Sequence, residues 1–382
     1  MKDDFNWEKV YNDFPVNSHF IWLNNCGTTP ISTPVLNTVH QWLDEYSRRG
    51  TLAEGYGYAK VKKSIYSHLE SLIHAAPGEL TLVHNTAEGI NYLSHGLSLQ
   101  SGDEILLLEN EYPSNVYPWE HWREKGIELK FVKMGNSPES FLVELQRSLS
   151  SKTRVAAFSA VHWCTGMPLP LYEIGKLCLE RDIQFIVDGS QGVGMVDIDV
   201  RGQGIGFMAF SAWKWLLGPV GVGMLFLARE KLEEIRPIFK GTESVVGDQQ
   251  YLPYKEIFKP SAERFHISTG NMNDWIYFNA SLTFLSQIGF ARAQQRIMEL
   301  ARYLSNGLRN MGFDIASDEF GTNVETGIVA ASKTGVDSAS VVKILQSRKI
   351  IAAERLGKIR FSPHVYISFS QLDQVITELS AF

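Results

Sequence analysis

Between residues 80 and 227, short apolar runs alternate with stretches in which apolar positions recur every three or four residues. The runs predict strands over 80–84, 104–108, 128–132, 155–160, 183–187, 207–210 and 224–227. The periodic stretches predict helices over 87–97, 138–149 and 171–181, with a further helical piece at 119–125. This rhythm implies an α/β chain with a mostly parallel sheet covered by helices on both faces. Ligands of such sheets bind beyond the carboxyl ends of the strands, so candidate chemistry is sought there.

The flanks read differently. Residues 1–20 suggest a short helix and a connector, followed by a strand start at 21–24 and the turn Asn25-Cys26-Gly27-Thr28-Thr29-Pro30. Pro34 opens a helix to about 49, with Leu36, Val39, Trp42, Leu43 and Tyr46 at helical spacing. The loop Gly55-Tyr56-Gly57-Tyr58 precedes another helix to about 75. After Arg229 the pattern is irregular up to 270, and a long helical run over 274–312 follows. From Ala316 a smaller α+β unit is expected, with helices at 338–346 and 370–379 and strands near 350 and 359.

Composition changes this picture little. A hydrophobic content of 44% and a charged content of 20% suit a soluble globular enzyme of two or three domains. A net charge of −6, with no Lys/Arg block, argues against a nucleic-acid partner. The three cysteines, Cys26, Cys164 and Cys178, form no metal-ligand spacing and fit a reducing, cytoplasmic setting. The charged start, MKDDFNWEKVYNDF, has no apolar segment of the secretory kind. The stretch 207–228 is apolar enough to raise a membrane span, but three glycines and a proline divide it into two short strands.

That stretch also holds the most informative residue. Lys214 is the only charge between Ile205 and Arg229, flanked by Trp213 and Trp215 and followed by a Gly/Pro loop. Poor hydration lowers a lysine pKa and frees an amine that attacks carbonyls. The competing reading is a lysine that snorkels from a core segment.

Four further stretches carry candidate chemistry. At Val83–Asn91 a strand meets a helix, whose N-terminus with Thr86, Ala87 and Gly89 suits an anion; plain capping by Asn85 and Glu88 is the alternative. At 183–191 an apolar strand delivers Asp188 into a Gly-Ser turn with Gln191. A carboxylate there can pair with a protonated ring nitrogen or simply cap a turn. In Glu111–Trp119, Tyr112 offers a ring for stacking or for covering the core. Arg360, in the strand-like Lys358–Phe361, suits a bidentate carboxylate or a surface ion pair.

Taken in this order, these segments resemble the class V aminotransferase family of pyridoxal-phosphate enzymes, which includes cysteine desulfurases, selenocysteine lyase, kynureninase and isopenicillin N epimerase-like proteins. The resemblance runs from about Ile21 to the C-terminus, and DGSQ (188–191) followed by SAWK (211–214) is its most specific part. It implies a fold type I architecture, with a large cofactor domain over 21–255 and a small domain built from 1–20 and 256–382.

By the same resemblance, Lys214 forms the internal aldimine with pyridoxal 5'-phosphate and Asp188 pairs with the pyridine nitrogen. Gln191 approaches the phenolic oxygen, and Tyr112 stacks on the ring. Thr86, the backbone at Ala87 and Ser211 hold the phosphate. Thr269 reaches the phosphate of a neighbouring subunit, so a homodimer with shared sites is implied. Arg360 takes the carboxylate of an amino-acid substrate, and Asn25 lies in the substrate loop.

The chain departs from the family pattern in three places. Trp213 stands where a phosphate-binding histidine precedes the lysine, and Trp163 falls near an asparagine position of desulfurases. The short stretch between Ile350 and Arg360 has no cysteine where one desulfurase group carries its persulfide-forming thiol. The expected activity is amino-acid chemistry of the class V type. A lyase of the kynureninase, selenocysteine or sulfoxide type, or an epimerase, is the alternative, and a non-enzymatic binder has no supporting DNA-binding segment.

Overall fold

The computed structural model describes residues 5–53, 57–321 and 326–382. Gly55 and Tyr56, read above as part of a loop, lie outside them. The chain opens with α1 (Trp7–Asn12), β1 (Ile21–Trp22), α2 (Thr33–Arg49) and α3 (Tyr58–Ile73). The alternating part follows as β2 (Leu80–Val83), α4 (Thr86–Gly96), β3 (Glu104–Leu108), β4 (Glu128–Val132), α5 (Pro138–Ser148), β5 (Thr153–Ser159), α6 (Leu171–Glu180), β6 (Gln184–Asp188), β7 (Phe207–Ser211) and β8 (Gly223–Leu227). Tyr117–Lys125, expected to be helical, is a 3-10 helix entered through Pro118.

Strands β2 to β8 form one seven-stranded sheet in the order β2-β8-β7-β6-β5-β3-β4. Pairing is parallel except along β8, which runs antiparallel to both β2 and β7. The cause is the connection: the short loop holding Lys214 joins β7 to β8, and a parallel partner needs a crossover of a dozen or more residues. Side chains alternate across the sheet, so Leu106 and Leu108 enter one core cluster while Ile105 and Leu107 enter the other. Helices therefore cover both faces, as the apolar runs implied.

Beyond β8 come α7 (Met272–Ile288), α8 (Phe290–Asn310), β9 (Asp314–Ile315), β10 (Val329–Ser332), α9 (Ser338–Ser347), β11 (Ile350–Ile351), β12 (Ala353–Arg355), β13 (Lys358–Phe361) and α10 (Phe369–Leu379). The helical run expected over 274–312 is two helices. Gly289 adopts a φ of 90°, and its N–H closes on the Leu285 and Ser286 carbonyls, which stops α7 before α8 begins. A second sheet has the order β12-β13-β10-β9, and β1 pairs in parallel with β11. No helix among the described residues is long and apolar enough to cross a membrane.

Candidate active site

Eight of the ten residues singled out above line a single cavity of about 370 Å³, which lies at the carboxyl ends of the central strands. Each arrives by a local rule. Asp188 is the last residue of β6 and Ser211 the last of β7. Thr86 and Ala87 open α4 immediately after β2; Asn85 caps that helix by accepting from the Glu88 N–H at 2.9 Å. β8 approaches this turn closely, since a Cβ on Gly223 would lie 3.0 Å from the Asn85 Cα.

Lys214 sits in the tight turn between β7 and β8. The Gly218 N–H closes on the Ala212 carbonyl at 2.9 Å, and a Cβ at Gly218 would strike the Ala212 Cβ. Ser281 on α7 donates to the Leu217 carbonyl at 2.8 Å and locks the turn from below. The ring over the Lys214 Nζ is that of Tyr112, with its centroid at 5.6 Å. Trp215 instead faces the core and donates to the Gln191 Oε1 at 2.9 Å. Burial pulls the Lys214 ammonium below the usual lysine range, against the opposing charge of Asp188. Burial likewise raises the Asp188 carboxyl, with Lys214 and bonds from Ser190 opposing. Burial thus drives both groups toward their neutral forms.

Tyr112 meets Trp163 edge-on, with centroids 5.6 Å apart. Arg360 is buried; its Nη1 donates to the Trp163 carbonyl at 2.7 Å, and its Nη2 lies 3.5 Å from the Asn24 Oδ1. Gln191 donates through its Nε2 to the Cys26 carbonyl at 3.2 Å.

Two predicted residues lie elsewhere. Asn25 is buried but spends its amide on the Ser362 carbonyl (2.6 Å) and the Tyr366 hydroxyl (2.7 Å). From its turn, Cys26 and Gly27 line the cavity instead. Thr269 is exposed and lines two other cavities. The sequence reading also missed contributors. Ser190 bonds the Thr86 hydroxyl at 2.7 Å, and the Gly-Ser turn after Asp188 was its available signal. Arg355 reaches the cavity mouth because β12 and β13 form a hairpin that pairs Ala353 with Arg360, a register invisible in a lone arginine.

The cavity fits pyridoxal phosphate. The Ser211 hydroxyl is buried without a hydrogen-bond partner, as a group awaiting an acceptor would be, and it shares the cavity with the N-terminus of α4. A buried carboxylate and a desolvated amine supply the ring and aldehyde partners.

Sheet, turn lysine and strand-end aspartate together define a fold type I pyridoxal-phosphate enzyme, a transferase or lyase. Within that class the chain belongs to the aminotransferase class-V family, whose profile matches residues 21–365. It is 26% identical over 344 residues to a probable cysteine desulfurase of Methanothermobacter thermautotrophicus, covering 88% of this chain and 84% of that one. The fold matches the apo cysteine desulfurase of Thermococcus onnurineus NA1 with a TM-score of 0.87 at 22% identity, covering 100% and 99% of the two chains. It matches the cystine C–S lyase C-DES, in complex with cysteine persulfide, with a TM-score of 0.87 at 21% identity, covering 97% and 99%.

Proposed function

We propose that the enzyme is a lyase that releases a β-substituent from an amino acid by elimination, without an enzyme-bound persulfide. One observation carries this reading: the β12–β13 hairpin turns through Leu356 and Gly357 alone and holds an arginine, not a thiol, at the cavity mouth. The Cys164 thiol points away to the Arg355 carbonyl at 3.3 Å, and Cys178 lies on α6. Similarity to both cysteine desulfurases and a cystine C–S lyase supports a sulfur-bearing amino acid as substrate.

Bound pyridoxal phosphate supplies an electron sink for charge developing at the substrate Cα. Lys214 would hold the cofactor through its aldehyde, and its Nζ would move the substrate Cα proton. Asp188 would hold a proton on the ring nitrogen. Thr86, Ala87, Ser211 and Ser190 bind the phosphate. Arg360, steadied on the Trp163 carbonyl, offers its unpartnered Nε to the α-carboxylate. Tyr112 would cover the ring and exclude water.

The test is a screen of cystine, S-substituted cysteines and selenocysteine for release of ammonia and a keto acid. Amino-group transfer to an added keto acid without such release would reject elimination. So would loss of turnover in Cys26→Ser, which should otherwise stay within about twofold of the parent.

The same proposal includes a cytoplasmic homodimer in which Thr269 serves the neighbouring site. Its support is the exposure of Thr269 and of the apolar Tyr251, Leu252, Tyr254 and Ile257 nearby in the chain. Co-assembly of Lys214→Ala and Thr269→Val chains should rebuild one complete site and recover activity absent from either alone. The division into 21–255 and 1–20 with 256–382 belongs here too; the stacking of Phe14 on Tyr366 and the hydrogen bonds of Asn17 with the Tyr366 carbonyl and Gln371 support joining residues 1–20 to the C-terminal unit.

A further inference from the structure

A second buried carboxylate stands behind Asp188. Glu111 follows β3 and is 7% exposed. One of its oxygens accepts from the Ser159 hydroxyl (2.6 Å) and the Tyr112 N–H (2.7 Å). The other accepts from the Ser159 N–H (2.8 Å) and, at 3.4 Å, from Asn115. Ser159 ends β5 and is paired in register with Asp188 on β6. One carboxylate therefore ties the turn that presents Tyr112 to the strand end beside Asp188.

We propose that Glu111 is a positioning residue of the site, which fixes Tyr112 over the cofactor and whose negative charge strengthens the hold of Asp188 on the ring-nitrogen proton. This rests on the Asp188 assignment made above. The carboxylate gives up no donor to the cavity, so it acts only through its neighbours. Burial, with the Asp188 charge second, lifts the Glu111 carboxyl to about 7, while the Ser159 and Tyr112 donors hold it back. The charged groups that bear on it are Asp188 and, across Asp188, Lys214. His162 bonds the neighbouring Asn110 carbonyl but stays neutral, pulled to about 4 by burial.

The experiment follows the absorbance of the bound cofactor against pH in the parent, Glu111→Gln, Ser159→Ala and Asp188→Asn. Removing the Glu111 charge should move the inflection about one pH unit down. Ser159→Ala keeps the carboxyl but eases its protonation, so it should move the inflection the same way by less; it also serves if Glu111→Gln fails to fold. An inflection that moves in Asp188→Asn but in neither of the other variants overturns the role of Glu111 alone. One that moves in none overturns both assignments.

Melting of the cofactor-free chain gives a second readout. The stability owed to Glu111 is present below pH 4.5 and is lost as pH rises through about 7. Glu111→Gln should remove that decline; a decline of unchanged size would overturn the placement of the Glu111 carboxyl beside Asp188.

Discussion

A cavity larger than the candidate site differs from it in how its polar groups are paired. A space of about 740 Å³ opens beside Lys62, Glu243, Glu263 and Lys259, twice the volume of the cavity around Lys214. Its charges answer one another: Lys62 with Glu263 at 2.5 Å and Glu243 at 3.8 Å, His266 with Glu243 at 3.2 Å, Lys259 with Asp248 at 2.7 Å. Around Lys214, by contrast, the Ser211 hydroxyl and the Arg360 Nε are buried and unpartnered, and the amine is desolvated. Groups left unsatisfied inside a fold cost free energy and persist where a ligand completes them. Unpartnered buried groups that face one cavity beside a desolvated amine distinguish the candidate site from the larger space.

The sharpest test of this contrast is Lys214→Ala. It should abolish the absorbance of covalently held cofactor and cut turnover at least about 10³-fold; borohydride trapping in the parent should label Lys214. Arg360→Ala should raise the substrate KM about ten- to hundredfold while cofactor affinity falls far less. Equal loss of both would remove Arg360 from substrate binding. Ser211→Ala should weaken cofactor affinity about tenfold with little change in KM, read by titrating the apo chain with pyridoxal phosphate.

On the other side of the comparison, Glu263→Gln breaks the pairing with Lys62 and Tyr66. It should lower the melting temperature by a few degrees, about 2–4 °C, and leave cofactor absorbance unchanged. A cofactor loss as large as in Ser211→Ala would erase the distinction between the two cavities.

The smallest effect concerns acid. Burial holds His364 down at about 4 while its Nε2 donates to the Trp215 carbonyl. The folded value lies below the unfolded one, so this stability is present above pH 6.5 and is lost as pH falls through about 4. His364→Gln should flatten that acid decline in a melting series from pH 7 to 4.

Much of this was legible in the chain. Short apolar runs specify buried strands because both faces of a covered sheet are dry; the antiparallel run of β8 was not legible, since the gap between the expected strands 207–210 and 224–227 is long enough for a parallel crossover. Asp188 and Ser211 were readable as strand ends, and Asn85–Glu88 as a helix start. Glu111, Ser190 and Arg355 were not assigned roles, since each works through a partner distant in sequence: Ser159, Thr86 and the register of β12 on β13. The separate fates of Asn25 and Cys26, neighbours in one turn, were equally hidden, because only the docking of Ser362 and Tyr366 decides which side chain faces inward.

The amino-acid order by itself determined the βαβ rhythm, the family and the lysine–aspartate pair, because periodicity, turn chemistry and residue type are local properties. Which polar groups were left without partners was decided only when the strand ends met: burial and hydrogen bonding depend on neighbours brought from up to hundreds of residues away.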